Sequence, residues 1–406
     1  MITRYYSGVP FSRTTISCVA VAFFVSIACA RAATAAITFP LEAKWSATLP
    51  APPAFGPAFD ATRIYVPLQT KQLVALMISD GSVAWSVECP MSAPPAAGSG
   101  LVYAGSEELI EARADTNGSA QWRRPVHGRV ISLHWDSGWL FAQTEPGLFF
   151  AIRATDGAII WQKDFGSPLS APPAPAGERL YVPFKDGRVV ALSLQTGDEI
   201  WTVKLAEPAV GILPVGNRVF IGARDNQFHS LSAEDADADW RWRTGADLLG
   251  LPVLDAKRVY FIALDNILRG HNRNNGSMEW KQVLPVRPFT GPLLSGETLI
   301  VAGVAAELHA YNTADGKPAG PPFALKGAEN EEMLLAAPPH LTAQDSLILV
   351  TKGGQVRAVG STPPAAADAA PSSGAASPAE TPPATPDAPT TPASEPDAGA
   401  AGAAAP

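Results

Sequence analysis

A segment that ends in tryptophan recurs along this chain at intervals of 37 to 40 residues. Residues 151–161 read AIRATDGAIIW and residues 191–201 read ALSLQTGDEIW, so each copy places a glycine four residues before its tryptophan. Self-similarity at this period is typical of arrays of supersecondary units, among them the blades of β-propellers. The repeat tryptophans are Trp45, Trp85, Trp122, Trp161, Trp201, Trp240 and Trp280.

Each repeat carries the signals of short strands rather than of helices. Between Trp161 and Trp201, the run Leu180-Tyr181-Val182 is followed by turn residues at 185–187 and then by RVVALSL. Such runs, separated by Gly and Asp or Asn turns, indicate antiparallel strands. Glycine supplies the positive φ that a tight turn requires. The tryptophan that follows is expected to begin the outer strand and to pack against the neighbouring sheet.

The two ends of the repeat region complement one another. The last unit stops at Gly360 after three strand-like pieces, whereas residues 41–49 carry Trp45 with no strands before it. Pairing of this N-terminal strand with the last unit closes a ring and removes its open edge. The sequence therefore predicts an all-β fold over residues 41–360. It is an eight-bladed β-propeller of four-stranded antiparallel blades, closed by pairing of the N-terminal strand with the last blade.

Residues 1–32 have the pattern of a signal peptide for export. Arg4 and Arg13 precede an uncharged apolar run at 16–30, and Ala30-Arg31-Ala32 offers a cleavage site between small residues. The run is shorter than the roughly 20 apolar residues of a membrane-spanning helix. We expect a periplasmic protein, and the alternative is an outer-membrane lipoprotein anchored through Cys29.

The composition changes abruptly at the other end of the chain. Residues 361–406 contain no aromatic residue and no Leu, Ile, Val or Met, while Ala, Pro, Ser and Thr dominate. Such a segment cannot bury enough apolar surface to offset its conformational entropy. The sequence predicts a disordered Ala/Pro-rich tail that acts as a spacer.

Charge and cysteine content exclude several classes of function. The formal net charge of −8 and the lack of a Lys/Arg cluster argue against nucleic-acid binding. Beyond the signal peptide Cys89 is the only cysteine, so neither an internal disulfide nor a cysteine-based metal site can form. Its position in the repeat indicates a buried thiol. We therefore predict no metal site.

The repeated pattern of alanine, a turn with Gly after Thr, Asp or Asn, and tryptophan resembles the PQQ-like β-propeller repeat family over residues 41–360. Within that family, an exported eight-bladed propeller without large insertions looks most like the BamB family of outer-membrane assembly lipoproteins. The resemblance implies a non-catalytic scaffold in outer-membrane β-barrel assembly. Such a scaffold would dock through loops of one face onto a protein partner in the cell envelope, and would be a monomer outside that complex.

Two other functions remain open. The enzymes that resemble this fold, the quinoprotein alcohol dehydrogenases, hold pyrroloquinoline quinone over calcium beside an acidic base. Here Cys89 has no partner for the disulfide that many of them carry, and Asp136 and Asp225 read as solvated turn residues rather than as bases. We therefore predict no cofactor and no catalysis. The other alternative, a small-ligand or polysaccharide binder, is favoured if Trp135 and Trp139 face the central channel.

Departures from the repeat single out candidate partner-binding residues. Trp135 and Trp139 lie outside the repeat position, and exposed aromatic residues there would suit a protein-binding hot spot. The alternative is that they fill core space. The last unit also has a longer connection between strands, which is either a partner contact or a solvated loop. Its acidic residues are Glu329, Glu331 and Glu332.

Two other sets of residues are expected to be structural. Arg241 and Arg243 alternate with tryptophans on a predicted edge strand, where arginine discourages aggregation between sheets. Four polar residues share one register position in blades five to eight and predict a polar cluster between blades rather than a metal site. They are His229, Arg269, His309 and Arg357.

Overall fold

The computed structural model describes residues 36–326 and 333–362, and all 32 regular elements in these ranges are strands. The expected signal peptide, and the tail from residue 363 onward, lie outside the described residues. No helix that could cross a membrane occurs in the described ranges. The first strand along the chain is β1, Leu41–Thr48.

The next sixteen strands form four antiparallel sheets of four consecutive strands, here called blades I to IV. Blade I contains β2 Ala58–Phe59, β3 Arg63–Pro67, β4 Gln72–Met77 and β5 Val83–Glu88. Blade II contains β6 Ala96–Gly98, β7 Leu101–Gly105, β8 Leu109–Ala114 and β9 Ala120–Pro125. Blade III contains β10 Val130–Asp136, β11 Trp139–Thr144, β12 Leu148–Arg153 and β13 Ile159–Asp164. Blade IV contains β14 Ala174–Ala176, β15 Arg179–Pro183, β16 Arg188–Ser193 and β17 Glu199–Lys204.

Blades V to VII repeat this order, and blade VIII contributes three strands of its own. Blade V contains β18 Ala209–Val215, β19 Arg218–Ala223, β20 Gln227–Ser232 and β21 Ala238–Arg243. Blade VI contains β22 Leu248–Leu254, β23 Arg258–Ala263, β24 Ile267–Asn272 and β25 Met278–Val283. Blade VII contains β26 Leu293–Ser295, β27 Thr298–Ala302, β28 Glu307–Asn312 and β29 Phe323–Ala324. Blade VIII contains β30 His340–Leu341, β31 Ser346–Val350 and β32 Gln355–Ser361.

Blade VIII closes the ring with the first strand of the chain. Its strand order is β30-β31-β32-β1, and β1 runs antiparallel to β32 from the pair Leu41 and Ser361 to the pair Thr48 and Gln355. This pairing removes the free edge that an open array would expose. The predicted eight-bladed propeller, closed by its N-terminal strand, is confirmed.

The strands of each blade, lettered a to d from the first to the last, divide the ring into two faces. The a strands lie nearest the axis, since a side chain on Gly211 of blade V would meet the backbone oxygen of Gly250 in blade VI at 2.8 Å. Because neighbouring strands are antiparallel, the a–b and c–d turns share one face, here called the ab face. The b–c turns and the connections between blades share the opposite face, the bc face.

Each repeat tryptophan joins its blade to the next one. All seven lie on d strands, and each donates its indole N–H to a backbone carbonyl in or beside the c–d turn of the next blade. The distance is 2.9 Å from Trp161 to Leu194 and 3.0 Å from Trp201 to Ala233. The other five donate in the same way, over 2.7–3.3 Å: Trp45, Trp85, Trp122, Trp240 and Trp280.

Two physical requirements explain why the repeat carries glycine in its c–d turn. Gly157, in the c–d turn of blade III, has φ +70°, and a Cβ on it would lie 2.6 Å from the indole of Trp122. Glycine therefore satisfies the turn and also admits the indole of the preceding blade. The turn beneath Trp201 is the exception, because Ala236 there has φ 64° without being glycine.

Exchanging these two residue types tests both reasons. We expect Gly157→Ala to lower the free energy of unfolding by about 2–4 kcal/mol, because it adds a left-handed alanine and a clash with the indole. Ala236→Gly removes an unfavourable φ and should change stability by no more than about 1 kcal/mol. Urea denaturation of both variants measures the difference. Equal effects at the two positions would contradict the role given to the glycine.

Candidate partner-binding surface

The b–c turns show where the blades differ most in surface chemistry. In seven blades one turn residue donates its backbone N–H to the connection that enters that blade, which defines an equivalent position on the bc face. Five blades carry a polar residue at this position: Gln69, Glu145, Lys185, Arg224 and Lys352. The consecutive blades VI and VII instead carry Leu264, 47% exposed, and Val304, 38% exposed.

Blade VIII adds a third exposed apolar residue to this part of the bc face. Lys352 donates its N–H to the carbonyl of Leu334, which lies in the connection entering the blade and is 43% exposed. Leu264, Val304 and Leu334 therefore form an exposed apolar set across three neighbouring blades, here called the apolar rim. Exposed apolar residues on neighbouring parts of one surface are typical of protein-binding sites.

Hydrogen bonds hold the turns of the rim in place. Next to Leu264, the Asp265 carboxylate accepts from the guanidinium of Arg269 at 2.5 and 3.0 Å and from the N–H of Gly245 at 3.2 Å. Burial raises the pKa of Asp265, but the hydrogen bonds and charge of Arg269 outweigh burial and keep the pKa below its usual value. The carboxylate is thus charged near neutral pH and fixes the turn that presents Leu264.

Trp135 and Trp139 lie at the a–b turn of blade III, on the ab face. Trp135 is half-buried and packs into the core between blades II and III, against Gly98. Trp139 stacks on Phe141 with ring centroids 6.2 Å apart and belongs to the core between blades III and IV. Both indoles fill space between blades and do not face the channel. The ligand-binding alternative therefore loses the observation that would have favoured it, and a role of these residues in partner binding stays a prediction.

The acidic candidates Glu329, Glu331 and Glu332 lie outside the described residues. Their binding role stays a prediction as well.

Three of the four polar residues at the shared register position, His229, Arg269 and His309, pair with an acidic residue of their own blade. His229 lies 3.1 Å from Asp225, and His309 lies 3.4 Å from Glu307. Burial lowers the pKa of His229, although the nearby Asp225 opposes this shift. These pairs lie within single blades, since Asp225 is in the b–c turn of blade V and Glu307 begins β28 of blade VII, and the predicted polar cluster between blades stays a prediction.

Cys89 is buried, with 1% of its surface exposed, and its thiol donates to Glu111 at 3.3 Å. Burial, followed by the negative charge of Glu111, raises the pKa of this thiol to about 12, so the reactive thiolate is suppressed. Among the residues that the structure describes, no group of three or more His, Cys, Asp or Glu side chains could hold a metal ion.

The apolar rim was not predicted from the sequence. The signal was present, since aligning the b–c turns of the repeats shows leucine and valine where other blades have charged or polar residues. The c–d turns, which carry the conspicuous glycine and tryptophan, define the repeat instead. The neighbourhood of Leu334 is visible only in the folded ring.

Comparisons with known proteins agree with the architecture. The sequence family described as "Outer membrane protein assembly factor BamB" matches residues 42–129, 106–215 and 185–321. The BamB of Yersinia pestis is 25% identical over 277 residues, which cover 63% of this chain and 68% of that protein. The BamB of Nitrosomonas eutropha is 29% identical over 162 residues, 38% of this chain and 40% of that protein.

Solved structures show the same fold. The crystal structure of BamB from Moraxella catarrhalis has a TM-score of 0.65 at 17% identity, covering 79% of this chain and 98% of that one. A computationally designed protein, Ika8, also reaches 0.65 at 12% identity, which shows that the propeller alone does not define a function. The family match spans most of the ring, so this chain belongs to the family of outer membrane protein assembly factor BamB.

Proposed function

We propose that the chain is a non-catalytic periplasmic scaffold in outer-membrane protein assembly, and that it docks onto a protein partner of the cell envelope through the apolar rim. Family membership supports the assembly role, because the matching relatives are named as assembly factors. The single observation that carries the docking surface is the change to exposed Leu264 and Val304 at a position that is polar in five other blades.

The mechanism we propose is rigid display. Indole hydrogen bonds join the blades, and ion pairs such as Asp265–Arg269 fix the b–c turns, so the rim loses little conformational entropy when a partner binds. Apolar anchors in a preorganised surface can supply most of the affinity of an interface. The quinone-dependent enzyme has no comparable supporting observation in this ring.

Export and domain organisation complete the proposal. We propose residues 1–32 as the signal peptide, residues 41–360 as the binding module and the tail that follows β32 as a spacer. Cleavage before Ala33 leads to a periplasmic protein, whereas lipidation of Cys29 would anchor it to the outer membrane. The mass of the mature N-terminal peptide distinguishes these two outcomes.

The rim is tested by affinity capture of the tagged full-length protein from envelope extracts, with quantitative mass spectrometry. We expect Leu264→Glu combined with Val304→Glu to reduce recovery of outer-membrane assembly components at least about tenfold, because two desolvated apolar anchors become charged. The matched control is Arg224→Glu, which introduces the same charge at the equivalent turn of blade V. It should retain most of the recovery.

Two results would count against this proposal. One is unchanged recovery with the double variant, which would separate the rim from docking. The other is the absence of every outer-membrane assembly component from captures with the unmodified protein. Trp135→Ala and Trp139→Ala, tested in parallel, show whether the ab face contributes to the same interaction.

A further inference from the structure

A groove opens on the ab face between blades VIII and I. Its volume is about 380 Å³, and its apolar walls are formed by Trp45, Met77, Ile78 and Ala358. Thr342 and Ser346 contribute hydroxyl groups to its lining. This groove lies on the face opposite the apolar rim.

The groove exists because one repeat position carries a small residue. In six blades the first residue of the b strand is a long residue, Arg, Leu or Trp: Arg63, Leu101, Trp139, Arg179, Arg218 and Arg258. Arg63 reaches Asp115 of blade II at 3.2 Å, and Arg218 reaches the carbonyl of Arg273 in blade VI at 2.7 Å. Blade VIII has Ser346 at this position, which is too short to cross to blade I.

The neighbouring junction shows what fits such a space. Blade VII also begins its b strand with a short residue, Thr298, and there the N-terminal segment Ile37–Phe39 covers the junction with blade VIII. Ile37 is fully buried among side chains of both blades, and its backbone N–H donates to the Ser295 hydroxyl at 2.9 Å. An extended peptide with an apolar side chain and a bond to a hydroxyl group thus fills the junction.

The open groove repeats these features one blade further on. Thr342 follows the a strand of blade VIII much as Ser295 ends that of blade VII, and Ser346 corresponds to Thr298. The covering peptide is the part that is missing. Residues 361–406 cannot supply it chemically, because they contain no Leu, Ile, Val, Met or aromatic residue.

The positive charge of Lys44 favours a peptide that carries an acidic residue. Lys44 lines the groove, where its ammonium group donates to the Ser346 hydroxyl at 3.0 Å. Within residues 36–326 and 333–362 it has no carboxylate within ion-pair distance. A carboxylate on the bound peptide would complete this interaction.

We infer that this groove binds an extended segment of a partner protein. The segment carries a branched or aromatic apolar residue, which packs against Trp45 and Met77, and a nearby acidic residue, which pairs with Lys44. Its backbone bonds to the hydroxyl groups of Thr342 and Ser346, as Ile37 does to Ser295. This site is separate from the apolar rim and does not depend on it.

The test uses the full-length protein and a fluorescein-labelled synthetic peptide, AITFPLE, which copies residues 36–42 of the chain. We expect saturable binding in fluorescence anisotropy. Ser346→Arg should weaken it at least about tenfold, because it fills the groove with the side chain that other blades carry there. Lys44→Gln should weaken binding of this peptide but not of a version whose glutamate is replaced by glutamine.

Matched controls distinguish binding in the groove from nonspecific binding and from binding at the apolar rim. A peptide with serine in place of isoleucine and phenylalanine should not bind, and the Leu264→Glu, Val304→Glu variant should bind as the unmodified protein does. The Ser346→Arg variant should keep its thermal unfolding midpoint, since arginine occupies the equivalent position in four blades. Absence of saturable binding, or equal binding by the Ser346→Arg variant, would overturn the inference.

Discussion

Deleting residues 37–48 behind the export signal should leave the chain unable to form a stable monomeric ring. The deletion removes β1, and with it the strand that covers the edge of β32. It also removes Ile37, Leu41 and Trp45 from the cores on either side of blade VIII, together with Phe39. At about 1.5–3 kcal/mol for each large apolar side chain, the loss is on the order of 6–12 kcal/mol, which is comparable to the whole stability of a domain.

The measurement combines size-exclusion chromatography with thermal unfolding followed by circular dichroism. We expect loss of the monomer peak and either aggregation or a broad transition at low temperature. Addition of a synthetic peptide of residues 36–50 should restore part of the monomer. The control removes residues 363–406, which leaves all 32 described strands in place and should not shift the transition. A stable monomer without β1 would show that ring closure is dispensable.

Trp201→Ala should lower the free energy of unfolding by about 3–5 kcal/mol. The indole is 8% exposed, packs in the core between blades IV and V, and donates to the carbonyl of Ala233. Its ring also lies 5.7 Å from that of Tyr181. The substitution therefore creates a cavity, removes one of the two donors to the Ala233 carbonyl, which keeps Arg179, and removes an aromatic contact at the same junction.

Two further variants divide this effect into its parts. Trp201→Phe keeps much of the apolar area but loses the indole N–H, so we expect a smaller loss of about 1–3 kcal/mol. The neighbouring Ile200 is 42% exposed, and Ile200→Ala should cost less than about 1 kcal/mol. Urea denaturation at constant m-value gives all three numbers. If Trp201→Ala and Ile200→Ala had equal effects, the tryptophan would not be the joint between blades.

Most of the fold could be predicted from the sequence because its determinants recur. The position of Trp161 four residues after Gly157 marks the same turn and strand in successive blades, so one correct interpretation applies to the whole ring. The closure of the ring could also be predicted, because the last unit lacks a fourth strand and the segment with Trp45 has no strands before it. The repeat did not reveal that each turn glycine packs against the tryptophan of the preceding blade, as Gly157 does against Trp122.

Candidate binding residues were harder to predict than the fold. Trp135 was conspicuous because it broke the repeat, yet it fills space beside Gly98 in the next sheet. Leu264 was inconspicuous because single leucines are common, yet it stands exposed at a position that is polar elsewhere in the ring. Composition and spacing do not reveal the exposure of a side chain, which depends on residues far away in sequence.

The sequence by itself determined the blade count, the four-stranded meander and the closure of the ring, because each follows from short-range patterns that repeat along the chain. Only the tertiary structure decided which residues form surfaces. The apolar rim joins turns about forty residues apart, and the groove between blades VIII and I joins β1, near the start of the chain, to β31, near its end. Both result from ring geometry, which brings distant segments together and sets their exposure to solvent.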